Sequence, residues 1–291
     1  MRIVLAGASG FIGSQLVPAL RSHAHEVVTL VRRPATGFDQ VRWDPAAGLG
    51  PSVLEGAHAV INLAGVGIGD KRWTDDYRRQ LLESRLTATT AIARACAEAG
   101  VPRLLNASAV GIYGHRGDEV VDEKSTTGDG FLPSLCRDWE HATAPAARAG
   151  TRVILLRSGL VLGRAGGLLP RLALLTTMMA GGKLGNGRQY FPWIAAADEV
   201  GAIGHLLSAD LEGPVNLVAP QQVTNAEFTR ALGSALHRPT PWRIPGFALR
   251  LVLGEFADEV LSGQRAVPRM LTDFRYPFVH PTLESALGAA A

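Results

Sequence analysis

The 291-residue sequence is poor in cysteine, lysine and aromatic residues, and these shortages exclude several classes of protein. Its two cysteines, Cys96 and Cys136, fit no zinc-ligand spacing, so we expect a reduced, cytoplasmic protein without a metal site. Aromatic residues make up 6% of the chain and do not alternate with basic ones, which argues against nucleic acid as a partner. No apolar run reaches the ~18 residues of a membrane-spanning helix, so we expect no membrane partner.

Apolar residues, by contrast, make up 47% of the chain, and the formal net charge is only +3. This length and composition suffice for one large α/β domain with a smaller lobe.

A glycine-rich stretch directly follows the short apolar run at residues 2–6. The glycines have the spacing Gly-x-x-Gly-x-x-Gly, and apolar residues then recur at helical spacing. A strand, a tight turn and a helix in this order are typical of a dinucleotide-binding unit, in which the helix N-terminus faces phosphate. An ordinary strand–turn–helix is the alternative. We expect cofactor contacts from Gly7, Ser9, Gly10, Phe11, Ile12 and Gly13.

The next predicted strand, at residues 26–31, ends in Arg32 and Arg33. An acidic residue near this point would bind the ribose hydroxyls of NAD. Two guanidinium groups instead suit the 2′-phosphate of NADP, because charge-assisted hydrogen bonds favour the additional negative charge. The sequence therefore favours NADP over NAD, with a solvated arginine pair as the alternative.

Strands and helices alternate up to about residue 165, which predicts a Rossmann-type, doubly wound parallel sheet. We expect residues 1–165 to form the NADP-binding domain, with a returning strand near 213–220. Residues 166–291 then form mainly a small C-terminal substrate-binding lobe. Further predicted strands lie at 41–44, 59–65, 103–108 and 151–157, helices at 75–100 and 131–149, and a polar surface loop at 115–130.

Several motifs now fall in a recognisable order: the opening glycines, Asn62-Leu63-Ala64-Gly65, Ser108 through Gly114, and Leu156-Arg157-Ser158-Gly159. Together they resemble the extended branch of the short-chain dehydrogenase/reductase superfamily, the NAD-dependent epimerase/dehydratase group. A narrower likeness is to an atypical sub-group named as nucleoside-diphosphate-sugar epimerases. It rests on Lys71-Arg72-Trp73-Thr74, Ser84-Arg85, Leu135 through Glu140, and Trp193-Ile194.

The resemblance implies a nicotinamide cofactor across the carboxyl ends of the strands. It places Arg32 at the 2′-phosphate and Asp44 at the adenine amino group. It also places Ser108 at the reacting carbonyl or alcohol. The residues expected along the nicotinamide ribose and the remaining cofactor surface are Leu63, Ala64, Gly65 and Arg85.

Basic and aromatic residues outside these motifs suggest where substrate binds. Lys71 and Arg72, together with Arg85, are candidates for an anion site that takes a substrate phosphate or carboxylate, with a solvated loop as the alternative. Trp73 and Trp193 are candidate walls of the substrate cleft, or core residues. A homodimer through the helices at 75–100 and 131–149 is expected from the same resemblance.

One departure from the family pattern affects the expected chemistry. The superfamily uses Tyr-x-x-x-Lys as its acid–base pair. The three lysines here are Lys71, Lys124 and Lys183, and no tyrosine precedes any of them by four residues. Tyr113 is the best substitute acid, with Ser108 holding the oxygen, although a packed tyrosine is the alternative.

Three hypotheses about function follow. The first is an NADP-dependent oxidoreductase or epimerase-like protein that transfers hydride to or from a carbonyl or carbinol carbon of a small molecule. The second is a sugar-nucleotide epimerase or dehydratase, whose substrate is phosphorylated or a nucleotide sugar. The third is a non-catalytic NADP-binding or sensing protein.

Overall fold

The computed structural model describes residues 1–290. Its strands are β1 (Arg2–Ala6), β2 (Glu26–Val31), β3 (Gln40–Arg42), β4 (Ala59–Asn62), β5 (Arg103–Ala109), β6 (Val120–Val121), β7 (Arg152–Ser158), β8 (Leu160–Leu162), β9 (Gly182–Leu184), β10 (Trp193–Ala195), β11 (Gly213–Leu217), β12 (Trp242–Ile244) and β13 (Arg265–Ala266). Its helices are α1 (Gly13–Ser22), α2 (Asp75–Ala99), α3 (Phe131–His141), α4 (Ala144–Arg148), α5 (Leu169–Thr177), α6 (Ala196–Leu206), α7 (Asn225–Ala235), α8 (Gly246–Leu253), α9 (Phe256–Leu261), α10 (Arg269–Asp273) and α11 (Leu283–Ala290).

Seven strands form one parallel sheet in the order β11-β7-β5-β4-β1-β2-β3. The chain builds outward from β1 in one direction through β2 and β3. It then returns and builds in the other direction from β4. The order therefore reverses between β1 and β4, the point at which open α/β sheets bind ligands. The predicted Rossmann-type fold is confirmed, including the returning strand β11.

Both faces of the sheet are covered, and the alternation of side chains along β1 shows why its sequence is continuously apolar. Ile3 and Leu5 face the layer that contains α1 and α6. Val4 and Ala6 face the layer that contains α2. A strand buried on both sides needs apolar residues at every position. No helix among residues 1–290 is long and apolar enough to cross a membrane.

The structure differs from the sequence prediction in three segments. The helix predicted at 131–149 divides into α3 and α4, because Pro145 has no N–H to continue a helix and instead occupies the first turn of α4. The loop predicted at 115–130 contains β6, which pairs with β13. The segment after the apolar helix that is predicted from Phe247 is expected from the sequence to be a tail, but it contains the helices α10 and α11.

The segment that follows β8 packs against the glycine turn of the first strand–helix unit. A Cβ atom at Gly163, Gly166 or Gly167 would lie 2.8–3.2 Å from the Phe11 ring. These glycines therefore allow the ring to approach the backbone closely. Residues 163–167 are thus held against the glycine turn.

Gly13 provides a direct test of how tightly this turn is packed. A Cβ at Gly13 would lie 2.2 Å from the Gly7 carbonyl oxygen and 2.8 Å from the Ala8 Cα. We expect Gly13→Ala to destabilise the protein by about 1–3 kcal/mol, because both clashing atoms are backbone and cannot move aside. Thermal unfolding measures this change.

Gly204→Ala is the matched control. Gly204 lies within α6, and nothing lies within 4 Å of its added Cβ. Alanine there should leave stability unchanged or raise it by about 0.5–1 kcal/mol. Equal melting temperatures for the two variants would contradict the packing described for Gly13.

Candidate active site

The glycine turn brings the end of β1 against the segment that follows β4. Gly7 has φ +87°, and a Cβ there would lie 2.6 Å from the Leu63 carbonyl. The Gly10 N–H donates to the Gly7 oxygen at 3.0 Å and closes the turn. The turn therefore needs glycine both for its left-handed backbone and for this close approach.

Beyond the turn, α1 begins at Gly13 without a side-chain cap. Its N-cap residue, Ile12, makes no capping hydrogen bond. The ring of Phe11 packs on the glycines after β8, while Ser9 and Gly10 are exposed. The N–H groups of Ser14 and Gln15 donate to the Gly10 and Ile12 carbonyl oxygens, whereas those of Phe11, Ile12 and Gly13 have no partner among residues 1–290. The entry into α1 can therefore receive an anion.

The two predicted phosphate-binding arginines lie beside this turn. Ala6, the last residue of β1 before the turn, pairs with Leu30 of β2. Arg32 lies two residues after Leu30, so it is at the same edge of the sheet as the turn. Both Arg32 and Arg33 are exposed, and Arg33 donates to Thr36 Oγ1 at 3.1 Å. The parallel register thus brings a cationic pair to the same edge of the sheet as the uncapped helix end.

Asp44 lies past the end of β3, on the far side of these arginines. Its Oδ1 accepts a hydrogen bond from the Ala46 N–H at 3.0 Å and caps a short 3-10 turn, Pro45–Ala47. The side chain is exposed, and the next residue, Pro45, lines a groove of about 610 Å³ between this turn and α2. The Asp44 carboxylate therefore caps the 3-10 turn and is also exposed to solvent.

Arg85 is the most unusual charged residue near the turn after β4. It is only 8% exposed, and its guanidinium lies 4.9 Å from the centre of the Trp139 ring. Its Nη1 donates to the Leu81 carbonyl, while its buried Nε has no partner among residues 1–290. A Cβ on Gly65 would contact its side chain at 3.4–3.6 Å. Burial lowers the pKa of Arg85, as expected for a cation without a facing carboxylate.

A chain of buried polar side chains begins at the carboxyl end of β5. Ser108 Oγ donates to Glu140 Oε1 at 2.6 Å, and Arg157 clamps the two Glu140 oxygens at 2.8 and 2.9 Å. The second guanidinium edge of Arg157 donates to the Tyr113 hydroxyl at 3.0 Å, and that hydroxyl donates to Asn216 Oδ1 at 2.7 Å. The two sequence-predicted catalytic residues, Ser108 and Tyr113, therefore belong to one network.

The two residues differ in their fitness for proton transfer. Tyr113 is completely buried, and its hydroxyl is already engaged on both sides. Burial raises the pKa of Tyr113 despite the opposing effect of Arg157. Burial, reinforced by Glu140, likewise raises the pKa of the Cys136 thiol to about 12. Ser108 is also buried, with 5% of its surface exposed, but its hydroxyl makes one hydrogen bond, to a carboxylate, whereas the Tyr113 hydroxyl makes two. Ser108 is therefore the less engaged of the two predicted catalytic residues.

The predicted substrate residues lie in two different environments. Lys71 and Arg72 are exposed on the loop before α2. Trp73 is buried, stacks on Phe256 at 5.0 Å and donates to the Ile68 carbonyl. Trp193 is buried in β10 within an apolar cluster. Trp73 therefore packs mainly against α2 and α3, Trp193 packs within the C-terminal lobe, and the two cations remain available to a ligand.

Sequence reasoning missed the charged residues that organise this site, namely Glu140, Arg157 and Glu199. Glu140 sits on α3 among apolar neighbours that face the sheet, and Arg157 interrupts the apolar strand β7. A charged residue within an otherwise apolar stretch of sequence is the signal that could have indicated these residues. Burial requires such a charge to have a partner, but the sequence does not say which one.

Glu199 is a second buried acid at this end of the sheet. It lies in the first turn of α6, where its Oε1 accepts a hydrogen bond from Ser158 at 2.6 Å. Its Oε2 is buried without a partner among the described residues. Burial raises the pKa of Glu199 to about 8, with the Ser158 hydrogen bond acting in the opposite direction.

These features agree with comparisons to known proteins. The family model described as the NAD dependent epimerase/dehydratase family matches residues 3–218, and the chain belongs to this family. A second model, a domain of unknown function called DUF1731, matches residues 244–290. The resemblance inferred from the sequence motifs is thereby confirmed.

Individual relatives match over nearly the whole chain. Epimerase family protein ML0860 of Mycobacterium leprae is 47% identical over 291 residues, covering 99% of this chain and 95% of that protein. The crystal structure of human epimerase family protein SDR39U1 with NADPH is 34% identical, with TM-score 0.92 and coverage of 100% and 99%. A nucleoside-diphosphate sugar epimerase from Corynebacterium glutamicum is 35% identical, with TM-score 0.83. This chain is covered completely in that alignment but spans only 58% of the other protein.

Glu199 gives a prediction about stability and pH. Because the pKa of Glu199 is raised, the folded protein keeps this carboxyl group protonated at pH values at which the unfolded chain, with an ordinary pKa of 4.5, has released the proton. Stability contributed by this proton is present at low pH and is lost as the pH rises toward about 8. We expect Glu199→Gln, which stays neutral, to melt at a higher temperature than the native protein at pH 8.5, by several degrees.

At pH 5 that advantage should be smaller, because the native Glu199 is then neutral in the folded state. The exposed Glu212 provides the control, and Glu212→Gln should show no pH-dependent difference. A Glu199→Gln advantage that is identical at pH 5 and pH 8.5 would show that this carboxyl group does not carry the proton.

Proposed function

We propose that this protein binds NADP(H) at the carboxyl edge of its sheet and transfers hydride between the nicotinamide and a carbinol or carbonyl carbon of a small substrate. The observation that carries the proposal is the combination of an uncapped helix N-terminus, a side-chain-free turn and an exposed arginine pair at one edge. Each part suits phosphate, and together they match the three phosphates of NADP.

The residues present fit such a cofactor. The backbone from Gly7 to Gly13 would hold the pyrophosphate, and Arg32 with Arg33 would hold the 2′-phosphate. Asp44 would bind the adenine, and Leu63, Ala64 and Gly65 would contact the nicotinamide ribose. The buried Nε of Arg85 has no partner among residues 1–290, and its side chain lies beside Gly65, so it is a donor that would serve a ligand bound there. When bound, the nicotinamide supplies or accepts hydride at C4.

Relatives support the choice of NADP. Human SDR39U1, which shares the fold and 34% of its sequence with this chain, was crystallised with NADPH. The arginine pair after β2 is the feature of this chain that favours the phosphorylated cofactor over NAD. A non-catalytic NADP-binding protein remains the alternative that an activity measurement decides.

A phosphorylated substrate is the second part of the proposal. Lys71 and Arg72 are exposed on the loop before α2, and the Arg171 guanidinium donates to Gly69 in the same loop at 2.7 Å. These cations suit a phosphate or diphosphate. The Corynebacterium glutamicum relative, 35% identical, is described as a nucleoside-diphosphate sugar epimerase, which supports a nucleotide sugar as the first class to test.

Arg32→Ala tests the cofactor assignment. Loss of a charge-assisted hydrogen bond of about 1.5–3 kcal/mol should weaken NADPH binding by roughly 10- to 100-fold. NADH lacks the 2′-phosphate, so its affinity should change little. Isothermal titration with both cofactors measures the two dissociation constants.

Arg148→Ala is the control, because Arg148 is an exposed arginine on α4 outside the proposed site. It should bind both cofactors as the native protein does. An Arg32→Ala variant that loses NADPH and NADH affinity equally would contradict the assignment of Arg32 to the 2′-phosphate. Native protein that binds neither cofactor would contradict the proposed function as a whole.

A further inference from the structure

The environment of Ser108 fixes the direction of its hydroxyl hydrogen. An ionised carboxylate only accepts hydrogen bonds, so in the 2.6 Å contact with Glu140 Oε1 the hydroxyl of Ser108 must be the donor. The oxygen lone pairs of Ser108 then remain free. Ser108 therefore offers an acceptor to a ligand, which suits an alcohol O–H better than a carbonyl oxygen.

Glu140 is held in this role from two sides. The Nε and Nη2 groups of Arg157 donate to its two oxygens in a bidentate pair, at 2.8 and 2.9 Å. Both side chains are nearly buried, with 8% and 12% of their surfaces exposed. A bidentate arginine favours the ionised carboxylate and fixes its plane. The pair thus holds Glu140 in the plane in which its Oε1 accepts the hydroxyl hydrogen of Ser108.

Other groups nearby are less suited to accept a proton. The Tyr113 hydroxyl already accepts from Arg157 and donates to Asn216. Cys136 lies one helical turn before Glu140 on α3, but its thiol is buried and protonated at neutral pH. Neither group has both a facing base and a free lone pair, as Ser108 has.

We infer that Ser108 and Glu140 form a two-step proton relay for oxidation of a substrate alcohol, with Arg157 holding Glu140 in position. The inference rests on the proposed function, because the hydride needs an oxidised nicotinamide to receive it. It gives Glu140 a role that the sequence motifs did not suggest.

As the substrate O–H bond breaks, its proton passes to Ser108 Oγ, and the original Ser108 proton passes to the Glu140 carboxylate. The C–H electron pair of the carbinol carbon leaves as hydride to the nicotinamide, and the C=O double bond forms. Glu140 then returns its proton to water. In this scheme Ser108 is the catalytic residue and Glu140 positions it and receives its proton.

The hydrogen bond can be tested without any substrate. In protein labelled with ¹³C-glutamate, the carboxyl resonance that disappears in Glu140→Gln identifies Glu140. We expect this resonance at the ionised position at pH 7, and we expect Ser108→Ala to shift it. A resonance at the protonated position, or one that Ser108→Ala leaves unmoved, would overturn the relay.

Turnover provides the second test, with NADP⁺ and UDP-glucose, UDP-glucuronic acid or cyclohexanol as alcohol probes. General acid–base catalysis contributes about 10²–10⁴-fold, so Ser108→Ala and Glu140→Gln should each lower kcat by about 100-fold or more. KM should change far less than kcat, and Glu140→Asp should recover part of the rate. Ser108→Ala removes no charge, so it keeps the test informative if the Glu140 variants fold poorly.

Cys136→Ala is the matched control, because it alters the same face of α3 and removes none of the relay's hydrogen bonds. It should retain the native rate, whereas a large loss would transfer the role to Cys136. Native rates in Glu140→Gln would overturn the relay, as would native protein that binds NADP⁺ yet oxidises none of the three probes. Failure to bind NADP⁺ at all would instead contradict the proposed function.

Discussion

The close packing of the glycine turn against the backbone after β4 fixes the geometry on which the site depends. A Cβ at Gly7 would overlap the Leu63 carbonyl, and one at Gly13 would overlap the Gly7 oxygen. Because no side chain intervenes, the start of α1 lies directly beside the switch point of the sheet. The anion-binding end of the helix, the arginine pair and the segment around Gly65 then share one edge.

The second determinant is the buried polar network that begins at Ser108. Its central ion pair, between Glu140 and Arg157, ties α3 to β7, and Tyr113 with Asn216 extends the connection to β11. Such a pair costs free energy to desolvate, and removing one partner from a buried pair destabilises a protein by about 3–5 kcal/mol. The network is therefore both a structural connection and a fixed arrangement of donors and acceptors at the end of the sheet.

The central sheet could be predicted from the sequence because its strands are apolar on both faces and alternate with helices. The end of α2 was also predictable, since Gly100 adopts φ +64° and Pro102 follows. The break between α3 and α4 was missed because apolar periodicity continues across residues 142–143. The pairing of β6 with β13 joins segments about 145 residues apart, and two-residue strands carry no periodic signal.

The site was only partly predictable for a similar reason. The glycine turn and the paired arginines are local in sequence, so their spacing reveals them. The network around Glu140 joins residues separated by 17 to 103 positions, and only the fold brings them together. The roles of Ser108, Tyr113 and the cofactor residues, the domain boundary at residue 165 and the homodimer stay predictions.

The most direct test of this account is a crystal structure of the protein with NADP⁺. We predict pyrophosphate oxygens within hydrogen-bond distance of the N–H groups at the start of α1. We also predict the 2′-phosphate on Arg32 and the nicotinamide C4 above Ser108, close enough for a substrate oxygen to bridge to its Oγ. A nucleotide bound away from the glycine turn, or a nicotinamide ring remote from Ser108, would contradict it.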